Sequence, residues 1–296
     1  MKTVAVLTPT YNRAKLLGRL FESLCNQTLK DFSWYVVDDG STDNTEGEIN
    51  KFNTEFFEIK YIRKENGGKH TALNVGLQHI VEPLVLVVDS DDWLDEIAIE
   101  TISSDWKRYD TRRDIAGLSY YKMYIDRTIV SDPYPSNYVE DTFINMRVNK
   151  RIKGDCAEVF RRDVLLQYPF PVIPSEKFLS EAVVWNAISE KYGMIFISKG
   201  IYFCEYQSDG LSSAAKANQL RNPLGTMLHA KAHMSPDVKL AIRLKYGCLY
   251  MAAARFAGIS FIDAVRKSQH GCISALGYIP GSILYKLWKR SVYKKG

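Results

Sequence analysis

The sequence has few cysteines and lacks a long apolar run. Its 296 residues include five cysteines, an odd number, and no two of them are closer than 24 residues. This spacing argues against a disulfide framework and a zinc knuckle, so we expect reduced cysteines. No stretch reaches the roughly 20 apolar residues of a membrane-spanning helix. The first residues run into Thr8-Pro9-Thr10 without a signal-peptide cleavage pattern, which predicts a cytoplasmic protein.

Two common nucleotide-binding patterns are also missing. The sequence contains neither the Gly-x-Gly-x-x-Gly dinucleotide fingerprint nor a Gly-x-x-x-x-Gly-Lys-Ser/Thr phosphate loop. Their absence disfavours a dehydrogenase and a P-loop kinase. With 46% hydrophobic and 25% charged residues the composition is that of an ordinary globular protein, and the length predicts one catalytic body with a tail.

The positive charge is concentrated at the C-terminus. The net charge is +5, yet residues 263–296 contain seven basic residues and one acid, so the preceding residues are close to neutral. This distribution argues against a nucleic-acid-binding face on the body and favours an anionic partner for the tail. The alternation of apolar, aromatic and basic residues in 279–295 is typical of a membrane-interface segment. A helix that packs on the body and has a solvated basic end is the other interpretation.

Strands and helices alternate along the first 95 residues. Apolar runs predict strands at 3–8, 32–37, 59–63 and 83–88, and apolar residues at helical spacing predict helices at 13–27, 45–52 and 70–79. This alternation indicates a parallel, doubly wound sheet, which binds ligands at the carboxyl ends of its strands. Later segments are less regular. There we expect strands at 115–124, 128–131, 195–197 and 201–203, and helices at 161–167, 179–191, 219–257, 260–276 and 282–293.

Each of the first four strands is followed by a polar motif. The motifs are Thr8-Pro9-Thr10-Tyr11-Asn12-Arg13, Asp38-Asp39-Gly40-Ser41, Asn66-Gly67-Gly68-Lys69 and Asp89-Ser90-Asp91-Asp92. Any one of them is an ordinary turn or helix cap. Because the carboxyl ends of parallel strands meet at one edge of the sheet, the four together predict a ligand site.

Taken together, these motifs resemble the nucleotide-sugar-binding half of glycosyltransferase family 2, which has the GT-A fold. The resemblance covers roughly residues 3–95 and includes Ala72, Asn74 and Gly76 after the glycine pair and the Asp-x-Asp element Asp89-Ser90-Asp91. It implies an α/β fold with a Rossmann-like, mostly parallel sheet flanked by helices. The catalytic domain would span 1–215, with a nucleotide-sugar-binding half at 1–95 and an acceptor half at 96–215. A helical, basic tail would follow at 216–296.

The resemblance implies a nucleoside diphosphate sugar as donor, most often of the UDP type. Tyr11 would stack on the base, Asp39 would accept its imide N–H, and Lys69 would offset phosphate charge. The full set of implied donor-binding residues is Thr8, Pro9, Tyr11, Arg13, Asp38, Asp39, Asn66, Gly67, Lys69, Asp89 and Ser90.

A divalent cation suits this chemistry, because the leaving diphosphate gains negative charge as the glycosidic bond breaks. Mn²⁺ and Mg²⁺ prefer hard oxygen ligands. The carboxylates of Asp89, Asp91 and Asp92 are the candidates to supply them.

The acceptor hydroxyl requires a general base, and the family places an acid at the start of a helix beyond the Asp-x-Asp element. Glu181 is the favoured candidate, and Trp185, one turn later, would flank an acceptor sugar. The family's Glu-Asp pair is Glu181-Ala182 here, so Glu176 and Asp155 stay open, as does a helix-capping role for Glu181. Asp209 is a further acceptor-side candidate. We interpret His229 and His233, four residues apart, as packing or surface residues.

We therefore expect a metal-dependent, inverting glycosyltransferase that transfers sugar to a saccharide or lipid-linked saccharide in bacterial surface polysaccharide assembly. Further candidate partners are the inner face of the membrane, which the tail would contact, and other copies of the chain in a homo-oligomer. Nucleic acid is not expected as a partner. One alternative is a nucleotidyltransferase, but such an enzyme normally carries a Gly-rich basic loop after its first strand, and this loop is absent here. A non-catalytic scaffold subunit is the other, because of the Glu181-Ala182 departure.

Overall fold

The computed structural model describes residues 2–205 and 215–293, and a mixed sheet of nine strands forms the centre of this part of the chain. The strands are β1 (Val4–Thr10), β2 (Phe32–Asp38), β3 (Glu58–Arg63), β4 (Leu84–Val87), β5 (Trp93–Leu94), β6 (Ile115–Met123), β7 (Tyr138–Asp141), β8 (Cys156–Arg161) and β9 (Gly193–Phe203). Their order is β3-β2-β1-β4-β8-β6-β9-β5, and β7 pairs with β9.

Helices cover the sheet and form the C-terminal part. They are α1 (Leu17–Cys25), α2 (Thr45–Ile49), α3 (Lys69–His79), α4 (Ala98–Trp106), α5 (Arg162–Leu165), α6 (Ala182–Ser189), α7 (Ala215–Arg221), α8 (Pro223–Ala232), α9 (Leu240–Phe256), α10 (Phe261–Ser268), α11 (Gly271–Leu276) and α12 (Tyr278–Tyr293), and a π-helix covers Ile144–Asn149.

The first half of the sheet is parallel, as the alternation of strands and helices predicts. Strands β1 to β4 pair in parallel, and β6 pairs in parallel with β9. The antiparallel strand β8 joins the two groups by pairing with both β4 and β6. The expected α/β sheet flanked by helices is thus confirmed, with antiparallel strands added in the second half.

Several expectations for the second half are wrong. The segment 128–131 forms a single bridge, Met123 to Ile129, rather than a strand, and the two strands expected within 195–203 are one continuous strand, β9. Strands β5, β7 and β8 were not expected. Helix α12 begins at Tyr278 and includes Pro280, because a proline in the first turn loses no helical hydrogen bond.

The two faces of the sheet bury separate apolar layers. Val6, Trp34 and Leu86 point to the side covered by α1 and α4, whereas Leu7 and Tyr35 point to the side covered by α3 and α6. Burial on both faces explains why the parallel strands are continuous apolar runs. A Cβ on Gly76 would collide with Leu7, so this glycine lets α3 lie close against β1.

The C-terminal helices have a core of their own, in which α9 contacts α8, α10, α11 and α12. Met227, Met234, Tyr250 and Met251 are buried there. Within the described residues, no helix combines the length and the apolar character that crossing a bilayer requires.

A buried carboxylate joins this helical part to the part of the chain that contains the sheet. Glu176 Oε1 and Oε2 accept the backbone N–H groups of Leu224 and Gly225, each at 2.7 Å, at the start of α8. Asn222, the residue at the N-cap, instead accepts the backbone N–H groups of Lys177 and Phe178, at 3.1 and 3.3 Å. The first turn of a helix has unsatisfied N–H groups and a positive potential, so a carboxylate is the fitting partner.

We predict that Glu176→Gln lowers the free energy of unfolding by about 1–3 kcal/mol, because both N–H groups lose a charged acceptor and one of them then faces the amide NH₂, which is a donor. Urea unfolding followed by circular dichroism measures the change. The exposed Glu55→Gln is the matched control. Equal stability of the two variants would contradict the capping role.

Candidate active site

The loops after β1 and β2 hold each other in place. Asn12 adopts a left-handed backbone conformation, with φ of 53°, which asparagine tolerates better than most residues. Its backbone N–H donates to Ser41 Oγ at 2.9 Å, and its Oδ1 accepts the backbone N–H of Thr42 at 2.7 Å. The neighbouring Tyr11 is 46% exposed, so its ring is free to contact a ligand.

Asp39 fixes the turn that follows β3. Its Oδ1 accepts Lys64 Nζ at 2.5 Å and Gly67 N–H at 2.9 Å, and its Oδ2 accepts Gly68 N–H at 2.7 Å and Asn66 Nδ2 at 3.1 Å. Four donors fill the accepting capacity of a carboxylate. The expected contact between Asp39 and a base N–H therefore requires one of these donors to leave.

Gly68 brings a distant segment onto this turn. With φ of +95° it adopts a conformation that favours glycine, and a Cβ there would collide with the carbonyl oxygen of Lys177. Residues 176–181 consequently cross directly over the glycine turn. This crossing carries Glu181 to the carboxyl edge of the parallel strands.

Lys69 connects the Asp-x-Asp element with Glu181. Its Nζ lies 2.6 Å from Asp89 Oδ1 and 2.7 Å from Glu181 Oε1. Burial acts to lower the pKa of Lys69, but the attraction of Asp89 and Glu181 outweighs it and holds the pKa above its ordinary value. Glu181 occupies the N-cap position of α6 and makes no side-chain cap hydrogen bond there, while its carboxylate pairs with Lys69.

A second lysine lies on the other side of Asp89. Lys122 Nζ is 4.0 Å from Asp89 Oδ2 and 3.5 Å from Asp92 Oδ2. Burial opposes ionisation of Asp89, yet the two lysines lower the pKa of its carboxyl. The Tyr202 hydroxyl donates to Asp92 Oδ2 at 2.7 Å and accepts the backbone N–H of Asp89 at 3.0 Å.

The carboxyl groups of Asp91 and Asp92 lie in an environment that disfavours their charge. Burial raises the pKa of Asp92 to about 6; Lys122 opposes this shift, and the Asp89 carboxylate adds to it. Burial and Asp89 also raise the pKa of Asp91, against which Arg13 and Lys69 act more weakly. No ion pair to Asp91 is found among residues 2–205 and 215–293.

These residues could hold a divalent cation only together with ligands from a bound molecule. Within the described ranges no three His, Cys, Asp or Glu side chains converge into a complete metal centre. Mg²⁺ in nucleotide sites is ordinarily held by one or two carboxylates and by substrate phosphate oxygens. Asp91, a partly buried carboxylate without an ion-pair partner in the described parts, and Asp89 beside it supply such a partial set.

Three of the expected donor-contact residues are turned into the protein instead. Thr8 is fully buried and accepts the Trp34 indole N–H at 3.0 Å, and Pro9 is also buried in β1. Asp38 is 1% exposed and accepts Ser41 N–H at 2.8 Å and the Tyr61 hydroxyl at 2.7 Å. These three therefore support the loops rather than face a donor, which corrects their expected role as donor contacts.

Trp185 is a core residue. Its ring stacks on Phe160 at 4.3 Å and meets Phe170 edge-on at 5.6 Å, and it is 8% exposed. Both neighbours belong to the apolar layer beneath α6. Its expected role beside an acceptor sugar is wrong for this conformation.

The other acceptor-side candidates have different positions. Glu176 is the buried cap of α8, Asp155 is exposed, and Asp209 lies outside the described residues. His233 stacks on Tyr246 with ring centroids 4.0 Å apart, and His229 contacts both rings at an angle. Burial, and after it the charge of His233, lowers the pKa of His229 to about 3. The two histidines are therefore packing residues.

Two site residues were missed by the sequence analysis. Lys122 and Tyr202 come from β6 and β9, where the only sequence signal is a polar group within an apolar strand. Both lie near the ends of strands in the central sheet.

The family model of glycosyl transferase family 2 matches residues 5–168, which is more than half of the chain. The chain belongs to this family. The match contains the four strand-end motifs and extends through β8.

Relatives in curated collections match parts of longer proteins. The chain is 29% identical to glycosyltransferase GlyA of Streptococcus pneumoniae over 224 residues, covering 71% of this chain and 31% of that protein. It is 36% identical over 106 residues to the poly(ribitol-phosphate) beta-N-acetylglucosaminyltransferase TarP of Staphylococcus aureus, covering 34% of this chain and 32% of TarP. The matched region thus spans about a third of each relative's length.

Solved structures share the fold over nearly the whole chain. S. aureus TarS 1–349 in complex with UDP-GlcNAc has a TM-score of 0.62 at 19% identity and covers 98% of this chain and 92% of that one. The mannosyltransferase PcManGT from Pyrobaculum calidifontis, in complex with GDP-Man and Mn²⁺, has a TM-score of 0.57 at 18% identity, covering 97% and 84%. At these identities the likeness confirms the GT-A fold.

Proposed function

We propose that the protein is a metal-dependent, inverting glycosyltransferase. Its donor is a nucleoside diphosphate sugar, with a UDP sugar as the favoured candidate, and its acceptor is a saccharide or a lipid-linked saccharide. The pathway would be assembly of a bacterial surface polysaccharide. Family membership supports the reaction class, and the complexes of TarS and PcManGT with nucleotide sugars support the donor class.

One observation carries the proposal: Glu181 and Asp89 contact the same ammonium group, that of Lys69. A carboxylate from the acceptor half thereby lies beside the Asp-x-Asp element that follows β4. Glu181 is about one-third exposed, so a substrate hydroxyl can reach it. A non-catalytic scaffold subunit would not need such a carboxylate beside the donor motifs. A nucleotidyltransferase would not need a carboxylate that accepts a proton from an acceptor sugar.

The proposed step is a direct displacement. The acceptor hydroxyl oxygen bonds to the anomeric carbon, the bond from that carbon to the diphosphate breaks, and Glu181 accepts the hydroxyl proton. Attack opposite the leaving diphosphate inverts the anomeric configuration. Tyr11 would stack on the base, and Lys69 would face the phosphates.

The residues that would hold Mn²⁺ or Mg²⁺ are Asp89, Asp91 and Asp92. When bound, the cation would neutralise charge on the leaving diphosphate.

We predict that Glu181→Gln lowers transfer by roughly 10²–10⁴-fold while donor binding persists, because glutamine cannot take the proton. The donor is identified first, by screening a panel of nucleotide sugars with Mn²⁺ and measuring diphosphate release and thermal shift. Near-normal transfer by the variant would move the base to Asp155. If no nucleotide sugar binds the wild type, the proposed function itself is wrong.

The metal assignment is tested with Asp91→Asn. We expect Mn²⁺ to tighten donor binding to the wild type but not to this variant, whose circular dichroism should be unchanged because Asp91 is outside the core. Asp126→Asn, at an exposed turn, is the matched control. Donor affinity that still depends on Mn²⁺ in Asp91→Asn would exclude this residue as a ligand.

We also propose that α12 contacts the inner face of the cytoplasmic membrane. Ile279, Ile283 and Leu287 lie one turn apart and are 71%, 56% and 57% exposed. Tyr285, on the opposite side of the helix, packs on Phe256 at 4.6 Å. Lys286, Lys289 and Arg290 are exposed alongside the apolar stripe, a combination that suits an anionic lipid surface.

We predict that the full-length protein sediments with anionic vesicles and that I283Q/L287Q and K286Q/K289Q/R290Q each reduce this binding. Each basic residue contributes about 1 kcal/mol to binding near such a surface. Salt at 0.5 M should weaken this attraction, because charges more than about 8 Å apart are already screened at physiological ionic strength. Val172→Gln, equally exposed but in the catalytic body, is the control. If the wild type ignores anionic vesicles at low salt, the membrane proposal is wrong.

A further inference from the structure

Lys69 holds two carboxylates that the proposed reaction needs for other tasks. Its ammonium lies between Asp89, on the donor side, and Glu181, the proposed base, at 2.6 and 2.7 Å. In this arrangement Glu181 Oε1 is occupied by a charged donor. The position of the Glu181 carboxylate therefore depends on where this ammonium group lies.

The backbone around Lys69 is held, whereas its side chain can move. Gly67 and Gly68 are bound to Asp39, and Gly68 lies against Lys177, so the first residue of α3 is fixed in position. The lysine ammonium is a point charge on a flexible stem of about four carbons, so it can change partners without movement of the backbone. The residue can thus exchange one anion for another at this edge of the sheet.

A donor diphosphate brings a competing anion to this point. Lys69 is at the N-terminus of α3, and Asp89 follows β4, so phosphates at the carboxyl edge would meet its ammonium group. The ammonium has three N–H donors, two of which serve Asp89 and Glu181, and a diphosphate offers it several charged acceptors at once. Contact with the diphosphate would then weaken the contact with Glu181.

We propose that Lys69 is a positioning residue that couples donor binding to the release of Glu181. In the free enzyme it pairs with Glu181; the diphosphate of a bound donor draws the ammonium away, and the Glu181 carboxylate is released from this ion pair to meet the acceptor hydroxyl. The position of the base thereby depends on whether a donor is bound. This inference rests on the proposed function, since it requires a diphosphate at the strand ends.

The coupling has a consequence that is measurable by binding alone. If Glu181 and the diphosphate compete for Lys69, removing the charge of Glu181 must tighten diphosphate binding. The gain must depend on Lys69, whereas a general field effect of the lost carboxylate would act with or without the lysine. A double-mutant cycle separates the two explanations.

The experiment measures the affinity of UDP, and in turn GDP, by calorimetry for the wild type, Glu181→Gln, Lys69→Met and the double variant. We expect Glu181→Gln to bind the nucleoside diphosphate about three- to tenfold more tightly than the wild type. Lys69→Met should bind it about tenfold more weakly, and adding Glu181→Gln to Lys69→Met should change nothing further. Lys69→Arg, which keeps the charge, should restore most of the affinity.

Two controls define the result. Uridine or guanosine, which lacks phosphates, should bind all four proteins equally, and Glu65→Gln, an exposed carboxylate of the same loop, should leave UDP affinity unchanged. An equal gain from Glu181→Gln with and without Lys69, or no gain at all, would overturn the coupling while leaving the donor assignment intact. If neither UDP nor GDP binds the wild type, both the donor assignment and the coupling fall.

Discussion

The carboxylate of Asp39 is the interaction on which the site depends. It follows the end of β2, yet all four of its donors come from the segment 64–68 after β3. Two of these donors are successive backbone N–H groups, so the carboxylate fixes the path of the main chain and not only the position of a side chain. Since α3 begins at the next residue, Asp39 determines where Lys69 starts and where its ammonium can reach.

The part of the site that the sequence predicts is the part made from consecutive strands. Tyr11, Asp39, Lys69 and Asp89 all follow parallel strands, and parallel strands place their carboxyl ends together whatever the loops do. The motif spacing alone therefore predicted which loops meet. It did not predict which side chains in a loop face outward, because Thr8 and Asp38 have the same chemistry as exposed ligands and are nevertheless buried.

The second half of the site depends on strand order, which local patterns do not encode. Lys122 and Tyr202 reach Asp89 and Asp92 only because β8, β6 and β9 follow β4 across the sheet, and β8 had no recognisable signal. Helical spacing placed Trp185 one turn after Glu181. However, Glu181 projects from the end of α6, whereas Trp185 lies where that helix packs on Phe160. Periodicity identifies a common face but not what covers it.

The charges at the site explain why the chain segments that carry them must be held in fixed positions. Glu181, Asp89 and Asp92 would repel each other at this separation in a partly buried site, and Lys69 and Lys122 are placed between them. Glu181 can join this arrangement because residues 176–181 are fixed twice, by Gly68 beneath them and by α8, whose N-terminus Glu176 caps. The helical C-terminal part thus supports the loop that carries the proposed base. A boundary at residue 216 would separate that loop from the helix that anchors it.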